Sequence, residues 1–289
     1  MQMVELRALF LAALAGRRAP NTLAAYRRDL ARVLPRLPGT ATAIRPADLE
    51  LALEADSALS PATRARRQAS IRTLFAWAHR MGYLASNPAF PLDRVLVPER
   101  APRPLTVEQT SQILRAIPPA QLRDRLLFTI LRDTGVRVGE ALSLRWEDLR
   151  LVEGDEQFRV LGKGNRERTV FLHAAPDSLR LLRRYGQDRP RSGYLFQGDP
   201  RRGGGAAPLD YSTVRYAWRR YCARARVPAT IHQLRHTFVT ELVRANVRLV
   251  TVQRLAGHRR LETTRCYAAG SDAEVKRELS DARRAPRPR

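Results

Sequence analysis

Between Asn87 and Pro104 the chain carries Pro88, Pro91, Pro98, Pro102 and Pro104, a density that no continuous helix tolerates. Each proline lacks an amide donor and fixes its own φ, so an extended connector is the conformation left. At roughly 3.1 Å per residue, an extended run over residues 91–104 reaches on the order of 40 Å. A chain of 289 residues interrupted there has sequence for two cores. The expected organisation is a domain over residues 1–90, a linker over 91–104 and a second domain over 105–289. Such a linker lets the two domains sit on opposite sides of a bound rod.

The first domain reads as a small helical bundle. Asn21 can cap a helix whose Leu23, Tyr26, Leu30 and Val33 share one face, and Ser60 with Pro61 opens another carrying Ile71, Leu74, Phe75 and Ala78 inward. Arg64, Arg66, Arg67 and Arg72 on that second helix are candidates for phosphate contacts, or else a solvated face. After the linker, Thr106 to Gln109 fits a capping box, and an apolar helix from about Gln121 ends at Thr134 with Gly135 as its stop. Arg137 then starts the next helix. The stretch from Gln157 to Leu172 alternates around Gly162-Lys163-Gly164-Asn165 and predicts a hairpin with Lys163 at or beside its turn. Helices follow near 212–225, 232–245, 248–256 and 262–268, with Trp146, Tyr216 and Trp218 expected in the core, although Trp218 beside Arg219 and Arg220 has a second place near DNA. The basic, Pro-containing end, Arg283 to Arg289, predicts a disordered tail.

Charge narrows the partner. Against 28 acidic residues stand 52 basic ones, a formal net charge of +24. That excess is more than solubility needs and points to a polyanion, nucleic acid first. From Arg201 to Ala268 there are 14 arginines and only three acids, Asp210, Glu241 and Glu262, a balance that implies phosphate binding with steep salt dependence. Arginine-favouring codon usage is the bland alternative. It also makes lysine informative, because Lys163 and Lys276 are the only two lysines. An ammonium can release a proton at accessible pH and a guanidinium cannot. Two cysteines, Cys222 and Cys266, have no CxxC spacing and suit a reducing cytoplasm. No apolar stretch near the N-terminus is long enough to span a bilayer, so no membrane partner is expected.

Polar residues gather at three places inside apolar helical patterns. Arg137 and Glu140 are three apart, so the carboxylate can orient the guanidinium while Arg137 reaches outward; a surface ion pair is the plainer reading. His232 and Arg235 are again three apart and can meet one ligand. Two guanidiniums make a fork-shaped clamp for phosphate oxygens. His232 and His236, four apart, also make half of a zinc site, but no glutamate follows His232 and no metal is expected. His236 is assigned to packing or a core hydrogen bond. The third place is Gly257-His258, followed by Thr263, Thr264 and Tyr267.

In order and spelling, Arg137, Lys163 in its Gly-Lys-Gly-Asn hairpin, His232 with Arg235, Gly257-His258 and Tyr267 resemble the tyrosine recombinase and phage integrase family, Xer-type members included. The resemblance covers residues 106–268, together with Thr22 to Leu30 and Leu59 to Ala89. It implies a mainly α fold with a small β-sheet: a helical N-terminal core-binding (SAM-like) domain and a mixed α/β catalytic domain of the tyrosine recombinase type. It implies that Tyr267 attacks a DNA phosphate, forming a 3′-phosphotyrosyl link and releasing a 5′-hydroxyl. His232 is then the base, Arg137 and Arg235 stabilise the transition state, Lys163 protonates the leaving oxygen, His258 bonds the phosphate and Glu140 positions its neighbours. Arg64, Arg66, Arg67, Arg72, Arg219 and Arg220 are candidate DNA contacts.

The implied reaction uses no metal, cofactor or ATP. The implied partners are double-stranded DNA and three further subunits, either copies of this chain or a related recombinase, in a cytoplasmic, nucleoid-associated complex. Glu274 to Leu279 is the candidate segment for docking on a neighbour. The chain departs from the strongest subfamily pattern at Ala256-Gly257-His258 and after Ala268, so integration, excision, resolution and transposition all stay open. A non-cleaving DNA-binding protein of the same fold and a type IB topoisomerase are the rival readings.

Overall fold

A computed structural model describes residues 1–98, 103–162, 166–198 and 207–257. Lys163, His258, Tyr267, the helix expected over 262–268, the segment Glu274 to Leu279 and the basic tail lie outside the described residues. The chain divides into two compact units, Met1–Arg100 and Ala101–Arg289.

The first unit holds α1 (Met3–Leu14), α2 (Pro20–Val33), α3 (Pro46–Glu54) and α4 (Pro61–Arg80). Three of these begin on proline, which suits the first turn because its missing amide would have no helical partner there. At α2 this overrides the expected Asn21 cap. Ala19 takes the cap position and Pro20, with φ already set, starts the helix. Leu6, Phe10, Leu30, Val33, Leu49, Ile71, Leu74 and Phe75 close the core.

Buried carboxylates tie α4 to its surroundings. Asp29 on α2 pairs with Arg66 and accepts from Ser70 Oγ at 3.2 Å. Asp56 accepts from Arg36 at 2.9 Å and Arg67 at 2.5 Å. Arg72 donates to the Leu92 carbonyl at 2.5 Å, while Gln68 donates to Asp93 O and accepts from the Val95 amide. At the other end of the expected linker, Gln233 donates to Arg103 O and Thr237 Oγ1 accepts from the Leu105 amide. Both ends of the proline-dense stretch are therefore bound to their own units.

The second unit contains α5 (Val107–Arg115), α6 (Leu122–Thr134), α7 (Val138–Ser143), β1 (Leu149–Arg150), β2 (Gln157–Gly162), β3 (Arg166–Phe171), α8 (Pro176–Tyr185), α9 (Tyr211–Ala225), α10 (Ile231–Arg244) and α11 (Leu249–Ala256). Helix α6 is central: Leu126 through Leu131 are all buried, as expected of a helix packed on every side. The three strands form one antiparallel sheet in chain order, with Val160 opposite Arg168 and Gly162 opposite Arg166. Phe128, Trp218, Phe158 and Phe196 fill the core, and Trp218 Nε1 donates to Ala229 O at 2.9 Å. Trp146 is buried as expected. Tyr216 is not: it is 66% exposed with the Arg220 guanidinium over its ring, because Val214, Trp218, Tyr221 and Cys222 take the inward face of α9.

Candidate active site

Helix α6 stops at Gly135, whose φ of +60° is left-handed. A Cβ there would also run into the Phe238 ring, so glycine is required twice over. The turn delivers Arg137 to the cap position of α7. Its backbone amide donates to Glu140 Oε2 at 2.9 Å and its Nη1 to Glu140 Oε1 at 2.8 Å. The orienting role expected of Glu140 thus has its geometry, and the carboxylate is only 6% exposed.

A third participant escaped the sequence reading. Arg168 on β3 places Nη1 on Glu140 Oε1 at 3.0 Å and Nη2 on Oε2 at 2.7 Å. The available signal was a charged residue at a strand position in phase with buried Val170 and Leu172. Burial by itself would push the Glu140 carboxyl up. The Arg168 fork and its charge, helped by the two Arg137 donors, reverse this and hold it down at about 2.

Arg235, 4% exposed, donates Nη1 to Gly135 O at 2.6 Å and Nη2 to Ala256 O at 2.5 Å. Arg137 Nη2 reaches Gly257 O at 3.1 Å, and Arg168 Nε reaches Leu255 O at 3.3 Å. Three arginines from three different elements therefore hold the consecutive carbonyls of Leu255, Ala256 and Gly257, where α11 ends. Those carbonyls have few helical partners of their own, and the helix dipole is negative there.

His232, in the first turn of α10, is solvent-accessible beside this cluster. Partial burial, then the charges of Arg235 and Arg137, hold its pKa below the ordinary histidine value. A neutral imidazole can accept a proton. His236 packs edge-on against it, ring centroids 4.5 Å apart, and is pushed down to about 4 by burial first and then by His232 and Arg235.

A stability consequence follows from His236. Its folded pKa lies below the unfolded value, so its contribution is complete above the unfolded pKa of about 6.5 and is lost as pH falls toward about 4, where the unfolded chain binds a proton that the fold rejects. Allowing for solvent screening, the loss between about pH 7 and pH 5 is roughly 1 kcal/mol. Urea midpoints at the two pH values measure it. His236→Gln is expected to flatten the dependence, and an unchanged slope would assign it to other groups.

Of the expected site residues, Arg137, Glu140, His232 and Arg235 come together. Among the candidate DNA contacts, Arg219 and Arg220 are exposed on α9, whereas Arg66, Arg67 and Arg72 are bonded within the first unit.

The fold is shared with a lambda integrase fragment solved as a dimer on a COC′ core site, with a TM-score of 0.73, 19% identity, and coverage of 92% of this chain and 95% of that one. XerH site-specific recombinase in a post-cleavage complex with a difH substrate matches with a TM-score of 0.67 and 20% identity, over 90% of this chain and 79% of that one. In sequence, the Phage integrase family matches residues 103–274 and the phage integrase N-terminal SAM-like domain matches residues 8–82. Tyrosine recombinase XerC of Mesorhizobium japonicum is 32% identical over 282 residues, 90% of this chain and 88% of that protein. The XerC of Caldanaerobacter subterraneus subsp. tengcongensis is 27% identical over 290 residues, 90% of this chain and 80% of that protein. The chain belongs to the phage integrase family, the tyrosine recombinases, enzymes that cleave and rejoin DNA.

Proposed function

We propose that the chain is a site-specific recombinase that exchanges DNA strands through a 3′-phosphotyrosyl intermediate at Tyr267. The observation that carries this is the convergence of Arg137, Arg235 and a neutral His232 at the end of α11, where the chain runs on toward His258 and Tyr267. The Tyr267 oxygen attacks phosphorus as its proton passes to His232; the bond from phosphorus to the 5′-oxygen breaks, and Lys163 protonates that oxygen. Arg137, 38% exposed, offers a phosphate the donors that Glu140 and Gly257 do not occupy. Fixed cationic donors stabilise charge that develops in the transition state without reorganising. One ester replaces another of similar energy, so rejoining runs by the reverse steps and needs no ATP. His258 adds a hydrogen bond to the phosphate.

Four subunits on two duplexes, on the nucleoid in the cytoplasm, is the assembly proposed, with Arg64, Arg219 and Arg220 among the phosphate contacts. The match to the N-terminal SAM-like domain supports a recombinase over a type IB topoisomerase. The test is a pool of nicked duplexes with randomised cores, incubated with the protein in chelator. Adducts that survive detergent are expected, and their sequences give the site. Complete absence of adducts sinks the reading. On the selected site, Lys163→Ala is expected to slow cleavage by about 100-fold or more, and a sulfur at the leaving position to restore it, since a thiolate leaves without a proton. Equal loss on both substrates would remove Lys163 from the acid role.

A further inference from the structure

The three guanidiniums at the end of α11 differ in what else they can reach. Arg168 is only 11% exposed, and its hydrogen bonds to Glu140 and Leu255 O run inward. With Nε and both Nη nitrogens engaged and its charge met by the Glu140 carboxylate, Arg168 is not assigned to grip a DNA phosphate. It is well placed to fix the groups that do.

Its fork closes on both oxygens of Glu140, and the same two oxygens receive the backbone amide and Nη1 of Arg137. Glu140 is a rigid bridge: any shift of the Arg168 fork moves the plane against which Arg137 is held. On the opposite side Arg168 Nε holds the Leu255 carbonyl. Two residues later Gly257 turns the chain with φ +64°, and a Cβ there would lie 3.0 Å from Arg168 Nη1. The turn and the guanidinium are thus in close contact, and a side chain at Gly257 would require the guanidinium to shift by a few tenths of an ångström. The segment leading to His258 and Tyr267 starts from a carbonyl and a turn that both rest on Arg168.

We propose that Arg168 is a positioning residue for phosphoryl transfer, acting through Glu140 on Arg137 and through Leu255 and Gly257 on the start of the segment that bears His258 and Tyr267. The inference rests on the recombinase reading above. A merely structural ion pair would, when weakened, lower stability, DNA binding and cleavage together. A positioning role separates them, because misplacing reacting groups by about 1 Å costs on the order of 100-fold in rate while leaving ground-state binding intact.

Arg168→Lys keeps the charge opposite Glu140, but one ammonium cannot span both carboxylate oxygens and the Leu255 carbonyl. On the DNA site selected by the unaltered protein, its single-turnover cleavage is expected to fall about 30- to 100-fold, with affinity changed by less than about threefold. Arg168→Gln keeps an amide donor for Glu140 without the guanidinium fork, and is expected to show the same split between binding and cleavage. It keeps the question open to refutation should the lysine variant fail to fold. In a double-mutant cycle with Glu140→Gln, the combined loss for Arg168→Lys should be smaller than the product of the single losses, as for groups acting through one another. Cleavage within about threefold of the unaltered rate, or binding that falls in step with cleavage, overturns the inference. Unaltered protein that never forms adducts sinks the recombinase reading and this inference together; normal adducts with unimpaired variants sink this one alone.

Discussion

Tyr267→Phe protein is expected to bind the selected DNA site as tightly as the unaltered chain and to leave no detergent-stable adduct. The variant keeps the ring and deletes one oxygen, so packing and net charge are preserved while the atom proposed to bond phosphorus is gone. A phenol has a pKa of about 10, so it reacts at neutral pH only beside a base and a positive field, the roles proposed for His232 and for Arg137 with Arg235. With the proposed nucleophilic oxygen gone, the expected loss is on the order of 10⁴-fold or more. Gel shift measures binding, and denaturing electrophoresis of end-labelled nicked duplex measures the adduct. Adducts from the phenylalanine variant would place the nucleophile on another residue and dismantle the roles given to His232 and Lys163. Loss of binding along with cleavage would instead make Tyr267 part of the DNA interface.

The elements around the site were legible where local chemistry decides them. Gly135 after an apolar run, the capping pair Thr106 and Gln109, and the alternation around Gly162 each specify backbone conformation within a few residues, and α6, α5 and the β2–β3 hairpin lie where those signals put them. The spacing of Arg137 and Glu140 likewise carried their pairing. Partners far apart in the chain were not legible. Arg66 meets Asp29 across 37 positions and Arg168 meets Glu140 across 28, and nothing local distinguishes these arginines from others in so basic a chain. Arg66 and Arg67, read as phosphate contacts or else a solvated face, are each bonded to a buried aspartate. Tyr216 failed differently: aromatic character suggested the core, but its phase on α9 is opposite to Trp218 and its ring lies under Arg220 instead. The carbonyl row at the end of α11 had no sequence signature, since backbone acceptors carry no residue identity.

That row makes Arg235 the residue whose loss should be felt in two ways. Its side chain bridges Gly135 O, at the end of α6, and Ala256 O, at the end of α11, and it is almost wholly buried. Arg235→Ala removes a donor from each carbonyl and opens a cavity, at roughly 1–3 kcal/mol for each buried group left unpaired. A stability loss of about 3–5 kcal/mol is expected, together with a fall in cleavage of about 1,000-fold or more, because one arm of the proposed phosphate clamp has gone. Since unfolding alone would also abolish cleavage, the decisive variant is Arg235→Lys. The ammonium retains positive charge near the phosphate and can satisfy one carbonyl, but it cannot present the planar fork that reaches both. Its urea midpoint should therefore lie between those of the unaltered and alanine proteins, while cleavage per folded molecule remains at least about 100-fold down. A lysine variant that cleaves at the unaltered rate once corrected for folded fraction would reduce Arg235 to a tie between two helix ends. The transition-state charge would then rest on Arg137 with the hydrogen bond proposed for His258.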